Sequence, residues 1–178
     1  MRLVVEDALA EFPVVALSIA TPCSPSFSGV CPLPPENICA VSIVRSGDAL
    51  IEAVREVEPG VRVGKILIQR DESHPDKPAK LFYSKLPSSI ASMHVLLCDP
   101  MLATGGSALQ AVETLRDHGV DPANIIFANM ICAPEGLLAM AASYPMIKIV
   151  TACIDVCLND DKYIVPGLGD YGDRFFNT

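Results

Sequence analysis

With 178 residues, 51% of them hydrophobic and only 19% charged, the chain can bury one compact core and is not disordered. A net charge of −8 opposes any role that coats nucleic acid or an anionic membrane, since both reward positive charge. No apolar run reaches the roughly 18–20 residues that span a bilayer, and residues 1–7 turn acidic too early for a secretory leader. A cytoplasmic protein of one domain, 1–178, is therefore expected, bound neither to membrane nor to nucleic acid. The seven cysteines are an odd number. Cys98, Cys132 and Cys153 lie in or at the ends of apolar runs, as buried thiols do, and no metal-ligand spacing accompanies them.

Residues 1–12 read as a helix with Leu3, Val4, Ala8, Leu9 and Phe12 on one side. Residues 21–36 hold five prolines and read as loop or edge strand. A buried strand follows at 38–44, breaking at Arg45-Ser46-Gly47, then a helix at 48–57. Strands are predicted at 61–68, 81–83, 94–98, 125–132 and 147–153, with helices at 107–118 and 134–143. The glycine-rich tail after Asn159 reads as loop. Near-continuous Val/Ile/Leu strands alternating with helices indicate an α/β fold, an open and mostly parallel sheet covered on both faces. Ligands in such sheets sit at the carboxyl ends of the strands, which selects 45–47, 69–72, 99–107 and 153–173.

The sharpest of these is 95–107. An apolar strand delivers Asp99, Pro100-Met101-Leu102-Ala103 follow, and Thr104-Gly105-Gly106-Ser107 opens a helix. Glycines let backbone N–H groups approach a ligand, the two hydroxyls add donors, and the helix start favours an anion. That composition suits a phosphate monoester, with Asp99 placed to accept from ribose hydroxyls. The plainer alternative is a strand–turn–helix junction with Ser107 as N-cap. No Lys-Ser/Thr follows the glycines, so the loop is not of the Walker type.

Asp99 to Ser107 resembles the phosphoribosyl-diphosphate (PRPP) loop of uracil phosphoribosyltransferases. Three other stretches agree with that family: Gly64-Lys65-Ile66-Leu67-Ile68-Gln69-Arg70-Asp71-Glu72, Ala133-Pro134-Glu135-Gly136, and the tail Tyr163-Ile164-Val165-Pro166-Gly167-Leu168-Gly169-Asp170-Tyr171-Gly172-Asp173-Arg174. The resemblance covers the whole chain, with departures. Ser46 stands where the family often has alanine, and Phe176-Asn177-Thr178 where it usually ends Phe-Gly-Thr. The family's additional N-terminal segment is missing, which suggests a short or truncated chain.

The resemblance implies a type I phosphoribosyltransferase-like fold with a flexible hairpin flap near 69–85 and a base-binding hood near 153–178. It implies a pentosyltransferase that converts uracil and PRPP to UMP and diphosphate in pyrimidine salvage. Arg45, Arg70, Asp99 and Asp170 would be the catalytic residues. PRPP would meet Arg45, Arg70, Asp99, Pro100, Met101, Leu102, Ala103, Thr104, Gly105, Gly106, Ser107 and Asp170. Uracil would meet Ile164, Gly169, Asp170 and Tyr171. Mg²⁺ would be held mainly by PRPP and water, near Asp170, with no direct protein ligand. A homodimer or larger homo-oligomer is expected, and GTP as an allosteric effector is compatible with the family but not readable from the residues.

Read from local sequence alone, Arg45 is also consistent with a surface arginine at a strand end and Arg70 with a charged turn, while Asp155 is either a site carboxylate or, the favoured reading, a cap for the following turn. His74 reads as a solvated loop residue rather than a base. An enzyme for another base would share 99–107 but differ at 163–173. A regulatory or partner subunit would keep the fold and bind nucleotide without robust catalysis.

Overall fold

The structure is a computed structural model and describes residues 1–70 and 79–178, with Arg70 described by its backbone alone. Helix α1 (Arg2–Ala10) leads into a hairpin of β1 (Val14–Thr21) and β2 (Ser24–Pro32). Then come β3 (Ile38–Val44), α2 (Asp48–Val57), β4 (Arg62–Arg70), β5 (Ala79–Lys85), β6 (His94–Cys98), β7 (Met101–Leu102) and α3 (Gly106–Asp117). The chain continues through β8 (Ile125–Cys132), α4 (Pro134–Ser143), β9 (Lys148–Ile154), β10 (Cys157–Leu158), β11 (Ile164–Val165) and α5 (Tyr171–Phe176).

One seven-stranded sheet organises the core. Its order is β5-β4-β3-β6-β8-β9, and β7 extends the line of β6 along the far end of β8. Every pairing is parallel except β4 with β5, so the mostly parallel sheet read from the sequence is found. The two-residue period of the strands divides the core between two faces. Cys39, Val41, Ile43, Val95, Leu97, Ile125 and Phe127 point to the face covered by α3 and α4. Ile38, Ala40, Leu96, Cys98, Ile126 and Ala128 point to the face covered by α1 and α2. Among the described residues no helix is long and apolar enough to cross a membrane.

Several local expectations need correction. Residues 14–21 are a strand that the sequence reading missed, and 21–36 is mainly its partner β2. The prolines masked the hairpin. Pro25 and Pro32 lie in a two-stranded ribbon, where each strand has one edge without a partner and proline is tolerated. The ribbon leaves Val14, Val15, Leu17, Ile19, Phe27 and Val30 exposed. The tail is not all loop, since 171–176 form α5. Cys98 and Cys132 are buried as expected, but Cys153 is exposed because β9 is the sheet edge. All seven thiols are free. The flap lies for the most part outside the described residues, 71–78 and His74 included.

Candidate active site

Three loops meet at the carboxyl ends of β3, β6 and β9. The first, Arg45-Ser46-Gly47, turns the chain from β3 into α2, and its Val44–Arg45 peptide is cis. Gly47 is required by space. A Cβ there would stand 2.3 Å from the Cys98 carbonyl oxygen and 2.8 Å from the Ile43 nitrogen. This close approach seats the loop directly against the strand that ends in Asp99.

The second loop leaves β6 at Asp99-Pro100. The Asp99 N–H donates to the Ala128 carbonyl (3.2 Å), and Asn129 Nδ2 donates to the Asp99 carbonyl (3.0 Å). Thr151 Oγ1 donates to Asn129 Oδ1 (2.8 Å), so a buried amide braces the backbone that carries the carboxylate. Among the described residues the Asp99 carboxylate has one weak donor, the Met101 N–H at 3.4 Å. Loss of water around it pushes its pKa from 3.8 up to about 7, against the small opposing pull of that N–H. The residue is half-buried and not sealed off, so a ligand that donates hydrogen bonds to it would favour its charged form.

Beyond Leu102 the loop is shaped by glycine. Gly105 caps α3 at φ +88° with no side-chain hydrogen bond, so the alternative of Ser107 as N-cap is not what the structure adopts. Thr104 Oγ1 lies 3.5 Å from the Gly106 nitrogen, at the outer limit of a hydrogen bond. The first N–H groups of this twelve-residue helix are thus left for an anion. Gly136 explains why Ala133-Pro134-Glu135-Gly136 accompanies the loop: a Cβ there would lie 2.5 Å from the Ala103 carbonyl oxygen. The start of α4 therefore forms the wall of the loop, and the Ala133 N–H donates to the Leu102 carbonyl (2.9 Å).

The third loop is the tail. Ile164 is buried in the small β10–β11 ribbon, opposite Leu158. A Cβ on Gly167 (φ +54°) would fall 2.1 Å from the Ile164 carbonyl oxygen. Gly169 (φ +80°) has no neighbour within 4 Å of such an atom, so it faces open space and is kept as glycine by its torsion. Asp170 is exposed and caps α5 by accepting from the Asp173 N–H (3.0 Å).

Three side chains to which the sequence reading gave no such role pin this tail. Asp155 Oδ2 accepts from the Gly167 N–H (2.9 Å), Glu135 Oε1 from the Leu158 N–H (3.0 Å), and Arg174 donates to the Leu168 carbonyl (2.6 Å). Asp155 therefore does not cap the turn that follows it, as its position at a strand end suggests, but holds the tail backbone twelve residues on.

Arg45 joins the first loop to the tail. Its guanidinium pairs with Asp173 and donates to Thr178 Oγ1 (2.8 Å), and Phe176 lies against its face. A Cβ on Gly172 would stand 3.0 Å from Ser46 Oγ and 3.3 Å from Asp170 Oδ1. The structure thus brings together Arg45, Asp99 and the segment 169–171, with the 104–107 loop braced by α4. It gives Arg70 a place at the end of β4, in register with Ala79, but its side chain lies outside the described residues.

The arrangement offers an anion seat at a helix start, a carboxylate beside it, a cation across from it, and a backbone hood with an open glycine. The family model for uracil phosphoribosyltransferase matches residues 1–178. A uracil phosphoribosyltransferase of Lachancea kluyveri is 48% identical over 99% of this chain and 80% of its own length. A chloroplastic uridine/cytidine kinase of Arabidopsis thaliana is 46% identical over the whole chain, which spans only 36% of that relative. Among solved structures, a protein of Aquifex aeolicus superposes with a TM-score of 0.83 at 31% identity, covering 98% of this chain and 81% of its own. A Trypanosoma brucei adenine phosphoribosyltransferase, at TM-score 0.55 and 17% identity over 75% of this chain and 60% of its own, shares the fold.

Proposed function

From the chain's membership of the uracil phosphoribosyltransferase family we propose that it transfers the 5-phosphoribosyl group of PRPP to N1 of uracil, giving UMP and diphosphate. The single observation that carries this reading is the Asp99–Ser107 loop, where a helix start with no side-chain cap lies next to a half-buried carboxylate. The 5′-phosphate would take the N–H groups at the start of α3 and the hydroxyls of Thr104 and Ser107. Asp99 would accept from the ribose hydroxyls. Cleavage of the C1–O bond builds positive charge on the ribose and negative charge on the leaving diphosphate. Positioning and charge stabilisation then supply most of the rate. Arg45 and Arg70 would stabilise the diphosphate, and the backbone at Ile164 and Gly169–Tyr171 would present uracil.

Mg²⁺ fits this site as an ion carried by substrate oxygens and water, with the exposed Asp170 carboxylate the tail group suited to its outer waters. Bound there it would offset the charge of the diphosphate. Chain, uracil and Mg²⁺-PRPP mixed at neutral pH should release diphosphate and UMP in equal amounts. UMP or PRPP binding without any release would instead favour the regulatory or partner subunit.

The exposed apolar residues of the β1–β2 ribbon support a homo-oligomer, most simply a cytoplasmic dimer, because a monomer rarely leaves so many on one arm. Light scattering should give twice 19.0 kDa, and a mass of 19.0 kDa across micromolar concentrations would refute the dimer.

A further inference from the structure

We infer that the last residues of the chain, Asp173 to Thr178, form the outer half of the diphosphate site by holding Arg45 in the orientation that PRPP needs. The inference rests on the proposed transfer from PRPP. Arg45 is exposed, and a long side chain in water samples many rotamers. Here it is held at three points by one short segment. Nη2 pairs with Asp173 Oδ1, Nη1 donates to Thr178 Oγ1, and the Phe176 ring centroid lies 5.5 Å from the guanidinium carbon. Thr178 Oγ1 lies 3.1 Å from Asp173 Oδ1 and can donate to it, so carboxylate, hydroxyl and guanidinium close a ring. A guanidinium has five N–H groups, and these contacts use one on each terminal nitrogen. The remaining N–H groups have no partner among the described residues and are available to an anion.

The segment is itself fixed. The Asp173 N–H donates to Asp170 Oδ1, and the Thr178 N–H donates back to the Asp173 carbonyl (3.1 Å). Asn177 makes that return at φ +58°, a torsion that asparagine tolerates second only to glycine. This accounts for asparagine at the position where the resemblance expects glycine. The same helix begins at Asp170 and Tyr171, beside the open Gly169. One six-residue element therefore spans the base loop and the diphosphate arginine. Asp173 and Thr178 are positioning residues, acting through Arg45 without touching substrate.

The test compares Asp173→Ala, Asp173→Glu and Thr178→Ala in the full chain, alone and with Arg45→Ala. Asp173→Ala should raise KM for PRPP about fivefold, the scale of an exposed ion pair. It should weaken binding of Mg²⁺-diphosphate by the same factor in calorimetry, with melting temperature and kcat changing little. Asp173→Glu should recover most of the loss, and adding Asp173→Ala to Arg45→Ala should cost nothing more. Thr178→Ala, which removes one exposed hydroxyl, should show a smaller loss of the same kind. KM for PRPP and diphosphate affinity within about twofold of the parent, or a full fivefold loss on top of Arg45→Ala, would overturn the inference. If the parent chain turns over no uracil, the transfer reading fails, while diphosphate calorimetry still decides the role of Asp173.

Discussion

Asp99→Asn is expected to make the ligand-free chain more stable and the enzyme worse. Loss of water pushes the Asp99 carboxyl from its ordinary 3.8 up to about 7, and among the described residues only the Met101 N–H opposes this. A folded state that holds its proton more tightly than the unfolded state loses stability as pH rises between those values. The stability tied to this proton is complete below pH 3.8 and is gone above about pH 7. Asparagine carries no charge to bury. At pH 8 the substitution should therefore raise stability by about 2 kcal/mol, or the melting temperature by about 5 °C. At pH 5, where the aspartate is already largely protonated, the gain should shrink. The same change removes the charged acceptor proposed for the ribose hydroxyls and should lower kcat/KM for PRPP about 10- to 100-fold. In the parent chain kcat/KM for PRPP should fall below pH 7, and the variant should lose that acid limb. A drop in melting temperature at pH 8, or an unchanged kcat/KM, would make Asp99 a structural residue.

Cytosine should be a poorer substrate than uracil by roughly 10²-fold or more in kcat/KM. Uracil presents two carbonyl acceptors with an N3–H donor between them. Cytosine replaces the 4-carbonyl by an amino donor and N3–H by an acceptor. A hood of fixed backbone groups would meet cytosine donor to donor and acceptor to acceptor, at about 1–3 kcal/mol for each unpaired group. The hood is built to be fixed: Asp155 holds Gly167, Arg174 holds Leu168 and Glu135 holds Leu158. Ile164→Val should spare base choice, since it leaves the backbone in place. Gly169→Val should damage uracil binding through its torsion of +80°, which a β-branched residue resists, and not through any clash within the protein, where the space is open. Comparable turnover of both bases, or a harmless Gly169→Val, would move specificity elsewhere.

Much of this was legible in the residues. Strands 38–44, 94–98 and 125–132 and helices 48–57 and 134–143 are found at the positions read, because unbroken Val/Ile/Leu runs and amphipathic periods are local signals. Asp99 to Ser107 was equally legible, since strand, carboxylate, glycines and helix follow one another along the chain. What escaped depends on contacts far apart in sequence. Asp173 reads as the end of a glycine motif, and its partner Arg45 lies 128 residues away. Helix α5 has only six residues and contains Gly172, so no period could reveal it. It stands on the Asp170 cap and the packing of Phe175 between Tyr171 and Phe176. Asn129 sits in an apolar strand and braces Asp99 across to Thr151, a relation that exists only once β8 lies between β6 and β9.

The most direct test of the account is a crystal structure of the chain with UMP. The account predicts the 5′-phosphate on the N–H groups that open α3, within reach of Thr104 and Ser107, the ribose hydroxyls on Asp99, and the base against the backbone of Ile164 and Gly169–Tyr171. UMP bound with its phosphate away from 104–107, or with its base turned out of the tail, would contradict it.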